Sequence, residues 1–233
     1  PATSTGQPAH DHSHDHSDTG DHSHAHTHDI PHHHEPHDHH HAGDHHDHTR
    51  VSAILEQIEA SSLANEIKET AARIYHRLAE AEASIHGADI DTVGLHEVGS
   101  KDALVDIVGS VAGLHALGVT RVFSSALHCG NGTVRCAHGR YPVPVPGVVA
   151  LCRGIPMVQT DVAFELITPT GAAILTTLAE GYGQACPPLI LTGSGYGAGR
   201  RDLQGRPNVL RIRLGDVIEP TAVPSGRQDC VSI

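Results

Sequence analysis

This sequence predicts a mixed α/β (or α+β) core, a mixed sheet with flanking helices, preceded by a histidine-rich arm. Three observations lead there. The first fifty residues offer almost nothing to a core, Ile30 being their only bulky aliphatic side chain. From Val51 onward, apolar residues recur at helical spacing as far as about residue 117. Beyond that point, short runs rich in β-branched residues alternate with two helical segments. The expected layout is an arm at 1–50, a core at 51–216 and a loose tail at 217–233.

Each element has its own cause. Residues 1–50 hold 18 of the 24 histidines, mixed with Asp, Ser, Thr, Gly and Pro. Such a segment cannot offset its ordering entropy by burial, so disorder is expected up to about Thr49. Val51, Ile54, Leu55 and Ile58 then give a first amphipathic helix. A second follows on Leu63, Ile67, Ala71, Ile74, Leu78 and Ile85, with Ser61 or Ser62 as cap and Gly87 as a left-handed stop. A third is predicted from about 102 to 117, with Leu104, Val108, Val111 and Leu114 inward and Gly118 ending it. Strands are predicted at 119–127, 133–137, 157–162 and 188–192, and at 208–214, where apolar and polar residues alternate. Helices are expected at 146–152 and 170–178, the second with Thr170 as N-cap and Gly171 in its first turn.

Composition narrows the function. A formal charge of −12 over 233 residues argues against nucleic acid, whose binding draws on clustered Lys and Arg. An acidic surface suits cations. There is no run of eighteen apolar residues and no signal-peptide pattern, so no membrane partner is expected and the cytoplasm is the default location. Cys129, Cys136, Cys152, Cys186 and Cys230 form no C-x-x-C pair, which fits reduced thiols better than a disulfide framework.

The arm carries the strongest chemical signal. Neutral imidazole ligates nickel, copper and zinc, and interleaved Asp adds hard oxygen donors. His12, His14 and His16 lie in one His-rich run, and His32, His33, His34 and His39, His40, His41 form two more. A flexible chain of this kind offers several exchangeable sites of moderate affinity. That is capture rather than catalysis.

Further constellations lie in the core. His96-Glu97-Val98-Gly99 precedes Asp102 and Asp106, which are four apart on the predicted third helix and share one of its faces. They fit either a mixed N/O site for a divalent ion or an Asp102 N-cap with Asp106 exposed. Gly130 and Gly132 permit close backbone approach to a ligand, and Cys136 with His138 places two metal-ligating donors on one strand face. The alternative is a glycine turn followed by a buried cysteine. Two segments are shaped to receive an anion on backbone N–H groups: Thr168-Pro169-Thr170-Gly171, and the glycine-rich run 193–199 followed by Arg200 and Arg201. Neither is a Walker or dinucleotide fingerprint. His115 reads as a core histidine, and His76 and His86 as surface residues.

Taken together, the segments resemble the pyridinium-3,5-bisthiocarboxylic acid mononucleotide nickel-insertion family, whose product is the nickel-pincer nucleotide cofactor. The resemblance rests on His96-Glu97-Val98-Gly99 with Asp102 and Asp106, Cys136-Ala137-His138-Gly139 with Pro142-Val143-Pro144, Thr168-Pro169-Thr170-Gly171-Ala172-Ala173, and Gly195-Tyr196-Gly197-Ala198-Gly199 with Arg206-Pro207-Asn208. They occur in the family's order across about 93–215. A histidine-rich insert before this region is also a family feature, and it favours nickel over zinc.

The resemblance implies a nickel chelatase of the lyase class that uses CTP with Mg2+ or Mn2+, is a homo-oligomer when full length, and serves a nickel-pincer-dependent racemase. For such a reaction the residues suggest His96, Glu97, Asp102 and Asp106 as catalytic, His96, Cys136 and His138 as metal-binding with the arm, and either Thr168, Thr170 and Gly171 or Arg200 and Arg201 as contacts to phosphate. Two features depart from the family pattern: an opening Asp-Cys-Phe-Ser-Gly stretch is absent, and Gly94 stands where a further histidine is common. The family's nucleotide-binding C-terminal domain is expected to lie outside this chain. The competing reading is a non-enzymatic nickel or zinc chaperone or store.

Overall fold

The computed structural model describes residues 49–136 and 139–218, which belong to one compact unit. The arm, His138 and the tail beyond residue 218 lie outside the described residues.

The described residues open with β1 (Thr49–Arg50), α1 (Val51–Glu59) and α2 (Asn65–His86), then β2 (Gly94–Leu95) and α3 (Lys101–Ala116). There follow β3 (Val122–Ser124), β4 (Leu127–Cys129), β5 (Thr133–Cys136), β6 (Gly139–Pro142), α4 (Pro146–Leu151) and β7 (Met157–Gln159). They close with α5 (Pro169–Leu178), β8 (Ala179–Tyr182), β9 (Leu189–Ala198) and β10 (Val209–Val217). The mixed α/β class holds. Among the described residues the strands pair two by two: β3–β8 and β4–β7 are parallel, and β1–β2, β5–β6 and β9–β10 are antiparallel.

The core gathers around α2. Ile67, Ala71, Ile74, Tyr75 and Leu78 recur at three- and four-residue steps, so they form one stripe, and all are buried. That stripe lets α2 pack against α1, α3, α4 and α5. Full burial of Ile74 and Leu78 contributes roughly 1.5–3 kcal/mol each. Gly87 ends the helix at φ +61, a conformation glycine adopts without steric cost, and its N–H returns to Ala83 O. Among the described residues no helix is long and apolar enough to cross a membrane.

Several expectations need correction. The cap of α2 is Ala64, not Ser61 or Ser62; the Ser61 hydroxyl instead donates to Ile58 O at the end of α1. On α3 the buried line is Ala103, Ile107 and Val111, with Leu104, Val108 and Leu114 half-buried beside it and His115 exposed. Its cap is Ser100, whose hydroxyl accepts from Ala103 N, so Asp102 has no capping role. The predicted strand at 119–127 is two strands, β3 and β4, which pair with different partners. Thr168 rather than Thr170 caps α5, accepting from Gly171 N. The glycine-rich run 193–199 belongs almost entirely to β9, extended and laddered to β10, so it is no anion-binding nest. β10 runs to Val217, one residue past the expected edge of the core.

Candidate functional site

The His-Glu-Val-Gly motif joins the core to a cavity. Leu95 and Val98 are buried and fix its two ends, while His96 and Glu97 line a cavity of about 80 Å³. Gly99 closes the turn: a Cβ there would fall 3.0 Å from Leu95 Cβ and 3.2 Å from Thr49 Cβ. β1 pairs across β2 at the same place, with Thr49 opposite Leu95. The motif is thus held from both sides.

The opposite wall comes from the last turn of α2. Glu82 and His86, one helical turn apart, put a carboxylate Oε2 and an imidazole Nε2 3.4 Å from each other. The His86 and His96 rings lie 5.6 Å apart between centroids, tilted by 44°. One ligand atom from each of Glu82, His86 and His96 lies within 4.8 Å of the others, a spacing at which three side chains can reach a single ion. Sequence reading placed His86 on the surface. It is exposed, yet Glu82 stands four residues before it in the same register, and that pair was the missed signal.

A third wall adds a thiol, with another acid near it. Cys136, at the end of β5, and Tyr141 of β6 line the same cavity, as do Pro146 and Gly147 at the start of α4 and Pro169 at the start of α5. Burial, then the charges of Glu97 and Glu165, push the Cys136 thiol up, which favours its protonated form. Burial, then the charge of Glu97, raises the Glu165 carboxyl above the ordinary value. Its Oε1 is buried with no hydrogen-bond partner among the described residues. Glu165 carries no sequence signal of its own.

Gly130 explains how Glu165 gets there. A Cβ at Gly130 would lie 1.6 Å from Phe164 O and 2.7 Å from Val162 O, so the close approach permitted by this glycine is made by the chain's own 162–164 segment, not by a ligand. Asn131 N donates to Val162 O at 2.8 Å and secures the same contact. The segment carries Phe164 to one side and Glu165 to the other. On the Phe164 side lies an open cavity of about 370 Å³, also lined by Arg201, Asp202 and Arg206. Arg201 stacks on the Phe164 ring at 4.2 Å, and Arg206 pairs with Asp161 at 2.5 Å.

The remaining predicted residues fall elsewhere. Asp102 and Asp106 share the exposed side of α3 and line neither cavity. Arg200 is exposed and outside both linings, and Thr168, Thr170 and Gly171 form the capped start of α5. His12, His14, His16, His32, His33, His34, His39, His40, His41 and His138 lie outside the described residues.

A donor set of imidazole, carboxylate and thiol around one small cavity is the chemistry of divalent transition metals. A family model described as nickel insertion protein matches residues 10–231. The chain belongs to the nickel insertion protein family. It is 48% identical over 172 residues to a putative nickel insertion protein of Citrifermentans bemidjiense, covering 74% of this chain and 44% of that protein. It is 45% identical over 172 residues to a pyridinium-3,5-bisthiocarboxylic acid mononucleotide nickel insertion protein of Desulfitobacterium hafniense, covering 74% and 42%. A protein of the same name from Geobacillus kaustophilus is 43% identical over 169 residues, covering 72% and 41%. The match therefore spans less than half the length of these nickel insertion proteins. No solved structure gives a significant match.

Proposed function

We propose that this chain holds Ni2+ as a substrate beside a pyridinium-3,5-bisthiocarboxylic acid mononucleotide and inserts it into the ring, giving the nickel-pincer nucleotide. The observation that carries the reading is the cavity at His96, where nitrogen, oxygen and sulfur donors from separate elements meet. The cavity has room for an ion and part of a ring, so the rest of the nucleotide extends outward.

The reaction breaks a ring C–H bond, forms a nickel–carbon bond and releases a proton, with no change of oxidation state required. Glu97, on the cavity lining, and Glu165, near enough to feel its charge, are the carboxylates we assign to accept that proton. A raised carboxyl value brings Glu165 nearer to the working pH, where a base is most effective. For the phosphate, Arg201 beside Phe164 is the better of the two sequence-predicted positions. At Thr168–Gly171 the Gly171 N–H is already committed to the cap. The 162–165 segment then links a phosphate end at Arg201 to a metal end at Glu165.

The lyase class and the use of CTP with Mg2+ or Mn2+ belong to this proposal for the whole protein. The described residues offer no triphosphate cradle, because the glycine-rich strand is laddered and the α5 turn is capped. No step on this chain passes through CTP. Homo-oligomers and a racemase as the cofactor's recipient are part of the same proposal, as is a cytoplasmic location.

A chaperone or store without chemistry is favoured by the histidine count of residues 1–50. One experiment separates the two. His96→Ala in the complete protein, with the mononucleotide, Ni2+, CTP and Mg2+ supplied, is expected to lower nickel insertion at least a hundredfold by mass analysis of the product. Asp102→Ala, on the outer side of α3, is expected to retain it. Unchanged insertion in His96→Ala overturns the assignment.

A further inference from the structure

We propose that Glu82, His86 and His96 together are the protein ligands of a transfer site for one divalent transition-metal ion, with its remaining coordination positions open to the cavity wall that carries Cys136. The proposal rests on the nickel-insertion reading for the identity of the ion, while the ligand set is drawn from the geometry alone.

Two rigid supports hold the three donors. Glu82 and His86 sit on the last turn of α2, whose Leu78, Ala79 and Ala81 are buried just before them. His96 is fixed between buried Leu95 and Val98. Ligands on packed elements keep their geometry better than ligands on loops. The Glu82 side chain is only 17% exposed and that of His86 32%, so both are partly withdrawn from water while one side of the site remains open. Glu82 Oε1 lies near the start of α4, 3.8 Å from where a Cβ on Gly147 would stand.

The chemistry of the three donors favours passage over storage. Two imidazoles and one carboxylate suit nickel, cobalt and zinc. Closed structural metal sites use four protein ligands, whereas sites that exchange or react keep a position free. Three ligands leave free positions on an ion of four or six coordination, and these can be taken by the two sulfurs of a bisthiocarboxylate. Cys136 lies on the wall of the same cavity.

The test uses the whole chain labelled with ¹⁵N and titrated with Ni2+ in a weakly chelating buffer. Paramagnetic broadening of amide signals at 82–86 and 95–98 reports an ion at this site even while the arm binds others. The native chain and His76→Ala, an exposed histidine of the same helix, are expected to broaden there. His86→Ala and His96→Ala are expected to lose the effect, and Glu82→Gln to need at least tenfold more Ni2+. Glu82→Gln keeps the side chain's shape, so its amide spectrum stays native and the comparison survives if a histidine variant misfolds. Broadening at native Ni2+ concentrations in Glu82→Gln and His86→Ala overturns the proposal. If broadening follows the ligands but the complete protein inserts no nickel, the ligand set stands and the insertion reading falls. If insertion proceeds while the ion sits elsewhere, the ligand set falls and insertion stands.

Discussion

Tyr75 is fully buried on α2, and its hydroxyl has no hydrogen-bond partner among the described residues. Burial, then the nearby Asp106, pushes its ionisation up to about 12. An unpaired buried hydroxyl costs roughly 1–3 kcal/mol, so Tyr75→Phe is expected to hold stability constant or raise it by about 1 kcal/mol in urea melts. A loss larger than about 1 kcal/mol would mean that the hydroxyl has a partner. Glu165 poses the opposite case, a half-buried acid beside Glu97. Its folded value is raised, so between the unfolded carboxyl value and that raised value the native state binds more protons than the unfolded one. Stability is then greatest below the unfolded value and falls as pH rises through the raised one. Glu165→Gln should flatten this slope and be the more stable protein at neutral pH. Thermal melts of the metal-free chain from pH 4 to 8 check it, and identical slopes in both proteins would refute it.

At the level of elements, legibility followed the length of the pattern. α1, α2 and α3 were readable because several turns of apolar spacing fix both type and face, and Gly87 marks the end of α2 by the conformation it alone adopts easily. β6 and β8 were missed because Gly139–Pro142 and Ala179–Tyr182 contain no β-branched residue, unlike Thr133–Cys136 and Met157–Gln159, which were read as strands. The same limit governed the site. His96, Glu97 and Cys136 stood in recognisable motifs, whereas Glu82 joins the cavity lining, and Glu165 comes near Glu97 and Cys136, only through packing of distant segments. Gly130 is where the two levels meet. Its glycine signal was legible, but the partner it admits is a backbone segment thirty-odd residues away, which no local pattern reveals. Gly130→Ala should displace the 162–165 segment and cost about 1–3 kcal/mol, the usual toll of overpacking. It should also weaken substrate binding more than nickel binding, since Glu82, His86 and His96 do not touch that segment's anchor. Calorimetry with each ligand separates the two, and equal losses would contradict the placement.

For the molecule as a whole, the function proposed above divides metal capture from metal chemistry. Residues 1–50 hold 18 of the 24 histidines, while the cavity at His96 is lined by described residues of the core. Many weak ligands on one segment can raise the local concentration of nickel without fixing its geometry. A three-ligand cavity does the reverse. If the two roles are separable, removing residues 1–48 changes the nickel dependence of insertion but not its ceiling. The expected result is a several-fold higher nickel concentration for half-maximal insertion, with the rate at saturating nickel largely intact. The acidic net charge adds a second mark: steering of a cation weakens as salt rises, so the intact protein should lose its advantage over the arm-less one at high ionic strength. Insertion rates measured across nickel and salt for both proteins test this directly. Activity lost at every nickel concentration would place the arm inside the chemistry and overturn the division of labour.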